Sequence, residues 1–290
     1  MRKNKTQKII RTLALCLLFL VGLSLLLYPL VSSEWNKHRS ESLVREYERS
    51  VSEAPAEDYS AWFAAAQRYN ASLGEKRMPD AFADISEEEN ADYLSQLAFR
   101  SDGVMAYLRI PRIRIDLPVY HGTSAEVLEK GVGHLVGSSL PIGGEGNHAV
   151  LSAHRGLPSA ALFTDLDQLA LGDHFYLQVL DRTLAYEIDQ ILIVEPTELD
   201  ALARSPGEDL VTLVTCTPYG VNSHRLLVRG HRVDYTEEVA AQEAAETVQS
   251  IHTRYGLWVA GGLLITLLFS LLFLLIRSLR RQGRHGKGRR

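Results

Sequence analysis

The chain is poor in cysteine. Its 290 residues hold two, Cys16 inside an apolar stretch and Cys216 at the end of a β-rich run. Outside the apolar stretches there is one thiol, so an internal disulfide framework is excluded. The histidines His121, His134, His148, His174, His224 and His231 fall at no metal-ligand spacing, and no second thiol stands near Cys216. The sequence therefore implies no metal site and no cofactor. It also lacks any internal repeat, which excludes a solenoid or a propeller. A lone thiol is the residue left to explain, because its oxidation is a hazard unless chemistry needs it. Cys16 reads as an apolar filler.

Charge is missing from two stretches, 12–33 and 255–276. Each is about 22 residues, enough to cross ~30 Å of hydrocarbon as a helix. Acid is missing from both ends of the chain. Residues 1–11 carry Arg2, Lys3, Lys5, Lys8 and Arg11; residues 277–290 carry Arg277, Arg280, Arg281, Arg284, Lys287, Arg289 and Arg290. Basic flanks stay on the cytoplasmic side. The expected layout is two membrane spans, both termini cytoplasmic and residues 34–254 outside. The basic tails set this topology, and they can also meet anionic membrane lipid. Of the 31 basic and 35 acidic residues, the tails take 12 basic ones, which leaves the rest strongly acidic and unsuited to nucleic acid. A basic start before an apolar run also suits a cleaved signal. Leu26-Leu27-Tyr28-Pro29-Leu30-Val31-Ser32-Ser33 offers no small-x-small cleavage site, which favours an uncleaved anchor.

Residues 34–100 read as a helical region. Leu43, Val44, Tyr47 and Val51 recur at helical spacing, so a helical stretch is predicted over 37–72, interrupted at Pro55 and capped anew at Asp58-Tyr59-Ser60 before Ala61–Ala71. Residues 73–84 read as a loop, and 86–98 as a short acidic helix. From 101 to 234 the texture changes to short β-rich runs between Gly, Pro and Asp. Strands are predicted at 104–110, 113–120, 147–153, 174–180, 183–194, 210–216 and 225–233. So many short strands at close spacing argue for a mainly β domain, a sandwich or barrel. Residues 235–254 read as a helical stalk into the second span.

Three residues suggest the chemistry. Cys216 ends one predicted strand and Arg225 opens the next, with Thr217–His224 between them. Two strands joined by so short a loop pair antiparallel, which makes Cys216 and Arg225 neighbours. His154 ends another strand, remote in the chain, and nothing in the spacing brings it to Cys216. A thiolate can attack a carbonyl while an imidazole moves the proton and a guanidinium holds the oxyanion or the substrate backbone. The resulting thioester can pass to water, as in a protease, or to an amine, as in a transpeptidase; the three residues do not choose. Papain-like Cys-Gly-Ser-Cys-Trp and caspase Gln-Ala-Cys texts are absent.

Longer stretches narrow the choice. Leu117-Pro118-Val119-Tyr120-His121-Gly122-Thr123, Gly131-Val132-Gly133-His134-Leu135-Val136-Gly137-Ser138-Ser139-Leu140-Pro141, His154-Arg155-Gly156 and Thr212-Leu213-Val214-Thr215-Cys216 with Arg225 nine residues on together resemble the sortases. The match is dense over 100–235 and is nearest the class C, pilus-assembling group. That resemblance implies a closed sortase β-barrel of about eight strands at 101–234, with N-terminal helices and a lid loop. It implies cleavage of a Leu-Pro-x-Thr-Gly-like signal after Thr, a thioacyl enzyme on Cys216, and transfer to a lysine amine of another pilin. His154 would then be the general acid/base and Arg225 the oxyanion or substrate stabiliser. The alternative within the family is attachment of surface proteins to peptidoglycan.

Class C sortases typically carry an Asp-Pro-aromatic lid motif. Here Met78-Pro79-Asp80-Ala81-Phe82 keeps Asp80 and Phe82, within a lid expected at about 75–85, but has Ala81 in place of the middle proline. Asp80 would pair with Arg225 and Phe82 would cover the thiol, with Ala81 loosening the loop. By the same resemblance His121, His134, Thr215, Tyr219 and Asn222 are candidates for a substrate groove. Tyr219 and Asn222 could equally just make the turn.

Overall fold

The computed structural model of the chain describes residues 2–53, 59–74, 79–82 and 91–236. The predicted stalk beyond 236, the second span, the C-terminal tail and parts of the loop and acidic helix before 91 lie outside the described residues. Helix α1 spans Arg2–Glu53, α2 Ser60–Ser72, α3 Ala91–Ser95 and α4 Ala125–Lys130. The strands are β1 Val104–Ile110, β2 Ile115–His121, β3 Val132–His134, β4 Asn147–Ser152, β5 His174–Val179, β6 Arg182–Val194, β7 Asp209–Thr217 and β8 His224–Val233. They close into a barrel in the order β1-β2-β3-β4-β7-β8-β6-β5.

The pleat explains the packing. Alternate residues of a strand face opposite sides. Ala149 and Leu151 of β4, Val211 and Leu213 of β7, and Leu226 and Val228 of β8 point into the barrel and join one large buried cluster. Val150, Val214 and Leu227, their neighbours along the same strands, point outward into a second cluster. Each fully buried Leu or Val contributes roughly 1.5–3 kcal/mol by leaving water. A closed barrel also leaves no unpaired edge.

The helices fasten to this barrel with named side chains. Tyr47 of α1 meets Tyr107 of β1 edge-on at 4.9 Å, and its hydroxyl accepts a hydrogen bond from the Leu180 N–H at 2.8 Å. Further back, Ser32 Oγ and Asn36 Nδ2 donate to the carbonyls of Pro158 and Ser159 at 3.0 and 2.6 Å. Asn70 of α2 clamps Leu140, accepting from its N–H at 2.8 Å. Arg204 donates to the carbonyls of Asn70 and Leu73 at the end of α2, where carbonyls run short of helical partners.

The described helices bear on the expected spans and on the acidic helix. The first apolar stretch and the helix predicted after it run together as one helix that includes Pro29. Among the described residues no helix is long and apolar enough to cross a membrane. Of the acidic helix predicted at 86–98, residues 86–90 lie outside the described residues, and α3 takes five of the rest. Strand β3 has no counterpart in the sequence reading, because three residues, one of them Gly133, are too few to show alternation. It exists by pairing parallel to β2 and antiparallel to β4.

Candidate active site

Two pairings assemble the site. In the antiparallel β7–β8 ladder Cys216 lies opposite Arg225. In the parallel β4–β7 ladder Ser152 lies opposite Val214. Carried on by two residues, that register would set His154 opposite Cys216. The pleat then sets the face. Cys216 shares parity with outward-facing Val214, Arg225 with Leu227, and His154 with Val150, so all three belong to the outer face of the barrel. Beyond the last β4 pair, the Ala153 N–H still bonds the Val214 carbonyl at 3.2 Å, and Thr215 Oγ1 donates to the Ala153 carbonyl at 2.8 Å. Those two bonds carry the alignment up to the histidine.

The segment 79–82 lies over this face. Arg225 donates from Nε and Nη2 to the two carboxylate oxygens of Asp80, at 2.8 and 2.6 Å, a two-pronged ion pair. The Phe82 ring lies 5.1 Å from the Arg225 guanidinium and 5.7 Å from the His154 ring. Ala81 is fully buried among Leu135, Val150, Leu199, Leu202, Val214 and Leu227. This differs from the expectation that Ala81 only loosens the loop: its methyl group anchors the segment. A cavity of about 220 Å³ lies elsewhere, between α1 and β2, and its lining includes none of Cys216, His154 or Arg225.

Burial and neighbouring charges shift both reacting groups. Burial pushes the Cys216 thiol up; the Arg225 charge opposes this and the Asp80 carboxylate adds to it. Burial likewise pushes the His154 imidazole down, with Glu129 of α4 opposing. Both directions favour the uncharged thiol and uncharged imidazole near neutral pH.

The remaining candidates separate into two groups. Thr215 is fully buried and ties β7 to Ala153. Asn222 takes the left-handed conformation at φ 60°, bonds its N–H to the Pro218 carbonyl and accepts from Arg225 Nη1 at 3.2 Å through its own carbonyl. It makes the turn and steadies Arg225. Tyr219 is exposed, and its ring packs where a side chain on Gly156 would sit, 2.9 Å from the ideal Cβ position; Gly156 also has φ +79°, so glycine fits there on both counts. His121 and His134 are not brought to Cys216. They stand opposite each other on β2 and β3, and both rings lie against Tyr93 of α3. His121 Nε2 bonds the Gln96 carbonyl at 2.7 Å. His134 bonds the Tyr93 hydroxyl and the Ser139 carbonyl, and burial lowers its pKa to about 4. These histidines hold α3 to the barrel. Arg155, next to His154, was assigned no role from sequence. Its guanidinium is buried and bonds Thr217 and Asp167. Its place in the His-Arg-Gly run was the one available signal.

Residues 108–233 match the sortase domain family. Among solved structures, sortase C1 from Streptococcus agalactiae is 48% identical, with a TM-score of 0.62, 67% of this chain covered and 100% of that one. Sortase C-1 from Actinomyces oris is 46% identical, with a TM-score of 0.59, 61% of this chain covered and 99% of the other. Sortase D of Bacillus subtilis is 29% identical over 166 residues, 56% of this chain and 81% of that protein. A barrel of this topology, the Cys216–Arg225 pairing and relatives of this identity agree: the chain belongs to the sortase family of cysteine transpeptidases, and the solved structures it matches are class C sortases.

Proposed function

We propose that this protein is a pilus-type transpeptidase. It cleaves a Leu-Pro-x-Thr-Gly-like sorting signal between Thr and Gly and joins the Thr to a lysine amine of another pilin. Cys216 is the nucleophile, His154 the general acid/base and Arg225 the group that stabilises the oxyanion or substrate backbone. Asp80 and Phe82 are the lid. The observation that carries this reading is the bidentate pair between Asp80 and Arg225 directly beside Cys216. It ties down the cation that the chemistry needs, so the segment behaves as a removable cover.

The steps begin when the cover leaves. When residues 79–82 leave, Arg225 loses its carboxylate partner and faces the substrate. The Cys216 proton passes to His154, and the thiolate attacks the Thr carbonyl. The oxyanion that forms is stabilised by the Arg225 guanidinium. The Thr–Gly C–N bond breaks, His154 returns the proton to the leaving amine, and a thioester remains on Cys216. A lysine amine then attacks, its proton goes to His154, and the thiolate leaves as an amide bond forms. The chain is anchored by spans at 12–33 and 255–276 with residues 34–254 outside the cell; their apolar composition and basic flanks support this.

The test is intact-mass measurement on the chain with Asp80 and Phe82 changed to Ala, incubated with a Leu-Pro-x-Thr-Gly peptide. A gain equal to the peptide through Thr, absent when Cys216 is Ala, is expected. Discharge of that adduct by a pilin lysine peptide is expected too; discharge only by a peptidoglycan stem amine would favour wall attachment instead. Cleavage indifferent to Cys216 would refute both.

A further inference from the structure

The β4–β7 pairing stops just before the residue it must position. Its last backbone bond joins Ala153 to Val214. Among the described residues no backbone hydrogen bond joins 154–156 to β7; the His154 carbonyl accepts instead from Phe163 of its own loop at 3.1 Å. The chain then turns at Gly156, whose N–H bonds Thr164 Oγ1 at 3.2 Å. Something other than the sheet must hold the imidazole against the thiol.

We infer that Arg155 is a positioning residue: its guanidinium braces the histidine loop against the end of β7 and so keeps His154 aligned with Cys216. Nη1 donates to Thr217 Oγ1 at 3.0 Å, one residue beyond Cys216, and Nη2 donates to Asp167 in the 3-10 turn Leu166–Gln168. One rigid plane therefore touches the loop that bears the imidazole, the strand that bears the thiol and the turn behind them. The Arg155 side chain is 8% exposed. Its Nε is buried and finds no acceptor among the described residues. An unpaired buried donor is destabilising, and an apolar side chain would avoid it. Stability alone therefore does not account for an arginine here, whereas a fork reaching two partners at fixed geometry does. The inference rests on the proposed roles of Cys216 and His154.

The experiment reads alignment without any sorting signal. In the full-length chain with Asp80→Ala and Phe82→Ala, alkylation of Cys216 by iodoacetamide is followed from pH 5 to 10. A thiolate coupled to an imidazole gives a profile with two inflections, and His154→Ala removes the lower one. Arg155→Ala is expected to lose that inflection as His154→Ala does, while Arg155→Lys keeps it in part. Asp167→Asn, at a half-exposed carboxylate, is expected to weaken it and serves if Arg155→Ala fails to fold. With a sorting-signal peptide, kcat of Arg155→Ala is expected to fall roughly 10–100-fold at a KM within about 3-fold, the mark of lost alignment. An Arg155→Ala or Asp167→Asn protein that keeps the parent profile overturns the inference and leaves the proposed function standing. A parent without the lower inflection and without a peptide adduct overturns both.

Discussion

The strand that bears Cys216 and the segment that covers it are held by different forces. Cys216 and Arg225 lie within a ladder of eight register pairs between β7 and β8. Moving either one means breaking sheet hydrogen bonds and emptying the barrel cluster behind it. Among the described residues, 79–82 are held by side chains: the Asp80–Arg225 ion pair, the Phe82 ring against Arg225 and His154, and the packing of Ala81 and Phe82 on the second cluster. Charge-assisted hydrogen bonds are worth about 1.5–3 kcal/mol each at most, and those of Asp80 can be exchanged for a substrate's. Where geometry must persist, the backbone fixes it; where a group must leave, side chains suffice. His154 stands between these cases, aligned by the sheet up to Ala153 and by side chains beyond.

That contrast can be broken from either side. The largest effect is expected on the strand. Cys216→Ala should leave the fold intact and lower turnover by more than about 1,000-fold, as loss of a covalent nucleophile does; a peptide adduct on that variant would remove Cys216 from the mechanism. Next is Arg225→Lys, which keeps the charge and loses the planar fork. A drop in kcat/KM of roughly 10–100-fold is expected from lost oxyanion stabilisation, and near-normal steady-state kinetics would reduce Arg225 to a packing residue.

The cover should respond in the opposite direction. Asp80→Ala with Phe82→Ala removes the nearby carboxylate that raises the Cys216 thiol and leaves the Arg225 charge beside it without its partner. The thiol's ionisation midpoint should therefore move to lower pH, and alkylation near neutral pH should rise about 10-fold for each unit moved. Labelling that is unchanged in rate and pH dependence would show that residues 80–82 do not cover the thiol. The smallest effect is expected at Thr215→Val, which removes the hydroxyl bond to Ala153. A loss of about 1 kcal/mol in denaturant unfolding, with a modest loss of kcat, is expected. A full stability loss with no change in kcat would mean the bond serves the fold and not the alignment of His154.

Legibility differed residue by residue. The Cys216–Arg225 adjacency could be read because a short Thr217–His224 connection between β runs forces antiparallel pairing. Seven of the strands were visible by alternation and turn residues. β3 was not, since three residues carry too little pattern. The surroundings of His121 and His134 could not be read either. Their neighbours in the family-like text suggested a groove, but the Tyr93 ring that engages both comes from a helix some thirty residues upstream of His121. The packing of Ala81 was equally invisible, because a small apolar residue in a loop reads the same whether buried or exposed.

By itself the sequence determined the mainly β domain, the one thiol available for chemistry and its pairing with Arg225. These depend on local periodicity and short connections, whose consequences are set within a few residues. Only the tertiary structure decided that β4 runs beside β7 and leads toward His154, that Ala81 packs on the second cluster, and that Arg155 reaches Thr217 and Asp167; the Asp80–Arg225 pair that the resemblance implied forms as expected. These are contacts across parallel strands and between remote segments. Such contacts depend on barrel closure, which no local stretch of sequence encodes.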